Sequence, residues 1–137
     1  MRISKRIDSK CYSVVVANGL FPTSKSIMCL IDNAQTVISG DGATMMLESY
    51  GRKPDYIVGD MDSLSNDIAK RYEDKLIQIT DQETNDLTKC VRFAAQLGIR
   101  HLYILGATGK REDHALGNIS LLTTYIGLFD ELRMVSD

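Results

Sequence analysis

A chain of 137 residues, 44% hydrophobic and 25% charged, has the size of one domain that buries its own core without disulfide or structural-metal support. Its formal net charge of -2, with 16 Lys and Arg spread along the sequence, supplies no basic stripe, so nucleic acid is not an expected partner. Three scattered cysteines exclude a disulfide framework or zinc spacing, and no apolar signal core or membrane-length run is present, so a cytoplasmic protein without membrane contact is expected.

Short β-branched runs predict strands at residues 13–17, 36–39, 56–58, 76–79, 102–105 and 132–135. Helical periodicity falls between them. It covers residues 24–31, residues 43–50 ending at Gly51, and residues 65–72. The strongest helix follows the fourth strand: Leu87, Val91, Ala94 and Leu97 share one face, Gly98 stops it, and Thr80 and Glu83 are spaced as a capping box. A last helix is predicted over residues 113–125, ending at Gly127.

Strands separated by helices pair in parallel through right-handed crossovers, which puts helices on both faces of the sheet. The expected fold is therefore α/β: a doubly wound, mostly parallel sheet of about six strands in a Rossmann-like three-layer arrangement spanning residues 1–137. Ligands in such sheets bind outside the carboxyl ends of the strands. The chain ends on an apolar strand, which suggests a domain of a longer polypeptide.

The strand ends carry a run of acids. Asp41 follows the second strand in Ser39-Gly40-Asp41-Gly42-Ala43, and Asp60 and Asp62 follow the third in Val58-Gly59-Asp60-Met61-Asp62-Ser63. Asp86 lies past the fourth strand in Glu83-Thr84-Asn85-Asp86, and Asp113 past the fifth. Carboxylates gathered on one rim repel by roughly 1 kcal/mol per close pair even in a water-like dielectric. Mg²⁺ would offset that: it takes carboxylate oxygens and shares its remaining positions with waters and substrate phosphates. Asp60 and Asp62 suit it best, because alternate residues on an extended segment point the same way. Acidic residues at helix starts also serve as ordinary caps, and Asp41 taken alone fits either role.

After the fifth strand comes Gly106-Ala107-Thr108-Gly109-Lys110-Arg111-Glu112-Asp113-His114. Glycines allow close approach of backbone amides to phosphate oxygens, Lys110 and Arg111 add positive charge, and a helix N-terminus follows. The segment is not a Walker A loop, and without the aspartates it would read as a solvated turn. His114 and Asn118 are polar flanks of the helix that could also meet substrate. Met28, Met45, Met46 and Met134, like the cysteines Cys11, Cys29 and Cys90, sit in or beside apolar stretches and are expected to pack in the core.

At these residues the sequence resembles the catalytic domain of thiamin pyrophosphokinase. The matching blocks run in order from Asp41-Gly42-Ala43 through Pro54-Asp55-Tyr56-Ile57-Val58-Gly59-Asp60-Met61-Asp62-Ser63 and Glu83-Thr84-Asn85-Asp86-Leu87-Thr88-Lys89 to Gly106-Ala107-Thr108-Gly109 with Arg111, Asp113 and His114. The resemblance implies Mg²⁺-dependent transfer of pyrophosphate from ATP to the hydroxyethyl group of thiamin. Asp60, Asp62 and Asp86 would be the metal ligands. Asp41, Thr84, Asn85, Gly106, Thr108, Gly109, Lys110, Arg111 and His114 would bind the nucleotide, and Asp113 would orient or deprotonate the hydroxyl. It also implies a homodimer and a smaller β-rich domain after this one, which this chain lacks. Met45 replaces the family's usual Asn, and Lys110 a frequent second glycine.

Two other enzymatic or binding readings share the ATP side: a pyrophosphokinase acting on another alcohol such as a hydroxymethylpterin, and a non-catalytic ATP-binding module. A receiver domain has the same architecture, but its first strand should end in acidic residues, whereas Ala17-Asn18-Gly19 follows here.

Overall fold

The computed structural model describes residues 11–81, 85–107 and 123–136. Six strands, β1 (Ser13–Val16), β2 (Val37–Gly40), β3 (Tyr56–Gly59), β4 (Leu76–Gln78), β5 (His101–Leu105) and β6 (Glu131–Val135), form one sheet in the order β4-β3-β2-β1-β5-β6. Every pairing is parallel. Each expected strand is present within about two residues of its expected bounds. Helices α1 (Lys25–Asp32), α2 (Thr44–Tyr50), α3 (Asn66–Arg71) and α4 (Asp86–Gln96) make the described crossovers.

Side-chain alternation along the strands splits the core in two. Val14, Val16, Val37 and Leu105 face α1 and α2 through Ile27, Ile31 and Leu47, and Ile57 on the same side packs with Ile68 and Tyr72 of α3. Val15, Ile38, Val58, Leu102 and Ile104 point the other way, onto Leu87, Cys90, Val91 and Ala94 of α4. The strands of the centre are therefore apolar on both faces, as a parallel sheet covered by helices requires. On the surface, Glu48 of α2 accepts from Arg71 and, at 2.8 Å, from the Tyr72 hydroxyl, joining α2 to the end of α3.

The chain steps outward from β1 through β2 and β3 to β4 with three helices on one face, then α4 carries it back across the other face to β5 beside β1. Reversal of direction between β1 and β5 opens a crevice at their carboxyl ends.

Several local expectations are corrected. The capping box is not what starts α4: Asn85 is the cap, its Oδ1 accepting from the Thr88 amide at 2.8 Å and hydroxyl at 2.7 Å, and Thr80 lies too far upstream. Leu97 is 42% exposed because the helix ends at Gln96, before its periodicity brings that position inward. Met45 and Met46 are exposed on the outer side of α2, while Leu47 takes the buried position. Met28 and Met134 do pack against the core. Of the thiols only Cys90 is buried; Cys11 and Cys29 are exposed. Residues 123–125 are helical and a 3-10 turn, Ile126–Leu128, runs through Gly127; most of the expected last helix, like Glu83, lies outside the described residues.

Two outcomes test this packing. Ile38→Ala, at a fully buried position, should lower unfolding free energy by about 2–5 kcal/mol in urea titration, whereas exposed Met45→Ala should change it by less than about 0.5 kcal/mol. Burial pushes the Cys90 thiol well above its ordinary pKa, so a thiol-alkylating reagent followed by peptide mass spectrometry should label Cys11 and Cys29 in the native protein and Cys90 only after unfolding.

Candidate active site

The crevice is built from the loops after β1, β2, β3 and β5 and from the first turn of α4. After β2 the backbone closes a 3-10 turn, Asp41–Ala43, that runs directly into α2. Thr44 fastens it: its hydroxyl donates to the Gly40 carbonyl at 3.1 Å and lies 2.7 Å from the Ser39 hydroxyl. Asp41 is thereby turned inward and is only 2% exposed. Its Oδ2 accepts the Met61 amide at 3.0 Å, while Oδ1 is buried with no hydrogen-bond partner among the described residues. Gly59 makes room for it, since a Cβ there would lie 2.9 Å from the Asp41 Cγ.

The loop after β3 is not extended. It reverses at Met61, whose φ is 74°, and Asp60 Oδ1 accepts the Asp62 amide at 3.0 Å. The expectation that Asp60 and Asp62 point together along a strand is corrected by this turn, which leaves Asp60 partly covered against Asp41 and Asp62 exposed. Gln78 of β4 holds the loop by donating to the Asp60 carbonyl at 3.3 Å. Asp86 enters from α4. Its Oδ2 accepts from Asn18 Nδ2 at 2.9 Å, and its Oδ1 lies 3.9 Å from the ammonium of Lys89, a buried cation one helical turn on.

These groups act on one another. Burial, then the charge of Asp86 and the carboxyl of Asp60, push the Asp41 pKa up. The Asp62 amide, helped by the neighbouring Asp41 carboxyl and by Lys89, holds Asp60 below the usual carboxylate range. The two carboxyls are thus shifted in opposite directions by their surroundings. At the far side of the crevice Gly106 adopts a φ of 70°, where a Cβ would meet the Ala17 carbonyl at 2.9 Å, and its own carbonyl accepts the Gly19 amide at 2.6 Å.

Of the residues named from sequence, the structure brings Asp41, Asp60 and Asp86 into one interacting group, sets Asp62 at its solvent edge and Gly106 beside β1, and uses the Asn85 oxygen as a helix cap. Thr84, Thr108, Gly109, Lys110, Arg111, Asp113, His114 and Asn118 lie outside the described residues. Among the described residues no group of three or more Asp, Glu, His or Cys side chains is placed to hold a metal ion by itself. The donor chemistry still fits a hard cation: the carboxyls of Asp41, Asp60 and Asp86 act on one another, and Asp41 holds one buried oxygen without a partner among the described residues. Mg²⁺ is commonly held by one or two carboxylates with substrate phosphates completing its shell.

Sequence reasoning missed Asn18 and Lys89 as parts of this group. Lys89 stood in the quoted block without a role, and its helical spacing of three from Asp86 was the available signal. Asn18 carried none, because its place depends on which strand lies beside β1.

A family model described as "Thiamin pyrophosphokinase, catalytic domain" matches residues 27–135. Thiamine pyrophosphokinase 1 of Oryza sativa subsp. japonica is 31% identical over 150 aligned positions, covering 93% of this chain and 55% of that protein. Thiamine pyrophosphokinase 1 of Arabidopsis thaliana is 40% identical over 83 positions, covering 53% and 31%. The crystal structure of a thiamin pyrophosphokinase from Geobacillus thermodenitrificans superposes with a TM-score of 0.72 at 25% identity, over 90% of this chain and 59% of that one. Yeast thiamin pyrophosphokinase, at 20% identity and a TM-score of 0.74, shares the fold. The chain thus spans 55% of the rice protein and less of the Arabidopsis one. Since the matched stretch begins within α1, ends with β6 and holds the whole interacting acidic group, the chain belongs to the thiamin pyrophosphokinase catalytic-domain family.

Proposed function

We propose that this domain carries out Mg²⁺-dependent transfer of pyrophosphate from ATP to the hydroxyl of thiamin, giving thiamin diphosphate and AMP. The observation that carries the proposal is the convergence of Asp41, Asp60 and Asp86, from three separate segments, at the carboxyl ends of a parallel sheet. Family membership adds the substrate class.

In this reading Asp60, Asp62 and Asp86 hold the metal, with Asp41 completing the acidic group. A divalent cation held there would supply Lewis-acid stabilisation of the charge that develops on the phosphates during transfer. The segment Gly106 to Arg111 receives the phosphates through backbone amides and the cations of Lys110 and Arg111, with Thr84, Asn85, Thr108, Gly109 and His114 lining the nucleotide. Asp113 orients the attacking hydroxyl or takes its proton as the oxygen approaches the β-phosphorus. Buried Lys89, 3.9 Å from Asp86, limits repulsion within the group. The full enzyme works as a cytoplasmic homodimer, with a smaller β-rich domain following this one.

The direct test is AMP release from ATP and Mg²⁺ with thiamin, with a hydroxymethylpterin as the competing acceptor; no AMP with thiamin overturns the assignment. Chelation of Mg²⁺ should abolish turnover, and Asp60→Asn should lower it by about 100-fold or more, beyond what loss of an outer partner of a metal usually does. A second outcome follows from the raised pKa of Asp41. Between the ordinary carboxylate value and the raised one the folded state binds more protons than the unfolded state, so metal-free stability falls as pH rises through that window. Asp41→Asn should flatten the fall, read as urea midpoints at successive pH values without metal, while weakening Mg²⁺-dependent nucleotide binding in calorimetry.

A further inference from the structure

Asn18, the second residue past the buried end of β1, has no part in the function proposed so far, yet it touches two other segments of the site. Its Nδ2 donates to Asp86 Oδ2 at 2.9 Å. Its Oδ1 is buried and has no hydrogen-bond partner among the described residues. That oxygen is pressed against the turn after β2: a Cβ on Gly40 would lie 2.6 Å from it, and a Cβ on Gly42 would lie 3.0 Å from the Asn18 Cγ. The two glycines thus leave the room that the carboxamide fills, and its amide end reaches Asp86.

The orientation is decided by charge. Turning the carboxamide over would set its oxygen against the Asp86 carboxylate, acceptor against acceptor, with nothing to donate between them. An oxygen buried without a partner is a standing penalty that a residue serving only to fill space would avoid. What asparagine adds here is a neutral donor reaching Asp86. The Asp86 side chain, 40% exposed in the first turn of α4, needs such a restraint, because its other polar side-chain contact among the described residues is Lys89 at 3.9 Å, too long for a hydrogen bond.

We propose that Asn18 is a positioning residue that, from the strand at the switch point, fixes the Asp86 carboxylate in the orientation in which it meets a divalent cation. This rests on the function proposed above and names a contributor outside the matched stretch of residues 27–135. Asn18 acts through Asp86 and not on the substrate.

The test is a calorimetric Mg²⁺ titration at fixed non-hydrolysable ATP analogue, with nucleotide affinity also measured without Mg²⁺, on the wild type, Asn18→Ala, Asp86→Ala and the double variant. Asn18→Ala should raise the Mg²⁺ concentration for half-saturation on the order of 10- to 100-fold, the range for outer partners of metal ligands, and leave metal-free nucleotide affinity unchanged. In the Asp86→Ala background it should have no further effect. An equal loss with and without Asp86, or a folded Asn18→Ala protein with wild-type half-saturation, would overturn the proposal. Should Asn18→Ala fail to fold, Asn18→Ser, too short to span to Asp86, carries the same expectation and the same refutation. A wild-type chain without Mg²⁺-dependent nucleotide binding would overturn the functional reading and this one together, whereas Mg²⁺ dependence unaltered by the substitution overturns this one alone.

Discussion

Negative charges held close together in a partly dry crevice are the constraint around which this domain is arranged. Two unit charges about 4 Å apart repel by roughly 4 kcal/mol at an effective dielectric of about 20, against a net stability of about 5–15 kcal/mol for a whole domain. A fold cannot carry several such pairs uncompensated. Here the compensation is distributed: the Asp41 pKa is pushed up, the Asp62 amide takes up charge on Asp60, and buried Lys89 stands near Asp86. What is left over is an incomplete set of oxygen donors, a state suited to a cation that arrives with its own phosphate ligands.

Only the topology makes that gathering possible. Asp41 and Asp60 follow neighbouring strands and would meet in any parallel sheet that paired β2 with β3. Asp86 is different. It follows β4, at the sheet edge, and reaches the group because α4 starts there and crosses the sheet face to deliver the chain to β5. The apolar stripe of Leu87, Cys90, Val91 and Ala94 that packs α4 on Val15, Ile38 and Val58 is thus also what aims its first turn at Asn18. Core packing and site geometry are one set of contacts, seen from opposite ends of the same helix.

The legibility of the sequence follows from the range of the forces involved. Strands were legible because a sheet buried on both faces demands unbroken runs such as Val14-Val15-Val16, a local signal. The acids at the strand ends were legible for the same reason, as each lies within a few residues of such a run. Helix ends were less so: Asn85 and Thr80 are both capable caps, and the choice between them depends on where α4 can begin and still lie on the sheet. The exposure of Met45 and Met46 was hidden because α2, at seven residues, buries only Thr44 and Leu47. The turn at Met61 was hidden too, since a positive φ at a methionine has no signature in composition. Strand order was the deepest gap, as β1 lies beside β5 across a sequence separation that no periodicity encodes, and Asn18 is meaningful only once that adjacency is known.

The end of β1 also explains how an architecture shared with receiver domains can be committed to a different charge arrangement. A receiver domain places acids at that strand end, where they belong to its own cluster. In this chain the same place adjoins Asp86 at hydrogen-bond distance and the turn bearing Asp41 through Gly40 and Gly42. An acid there would set a further negative group against a carboxyl already pushed up by its neighbours and would give Asp86 an acceptor in place of a donor. Asparagine has nearly the shape of that acid and the opposite effect. It turns a fully buried strand end into a donor without adding charge, so the acidic group can draw on three separate segments of chain and still be held in one geometry.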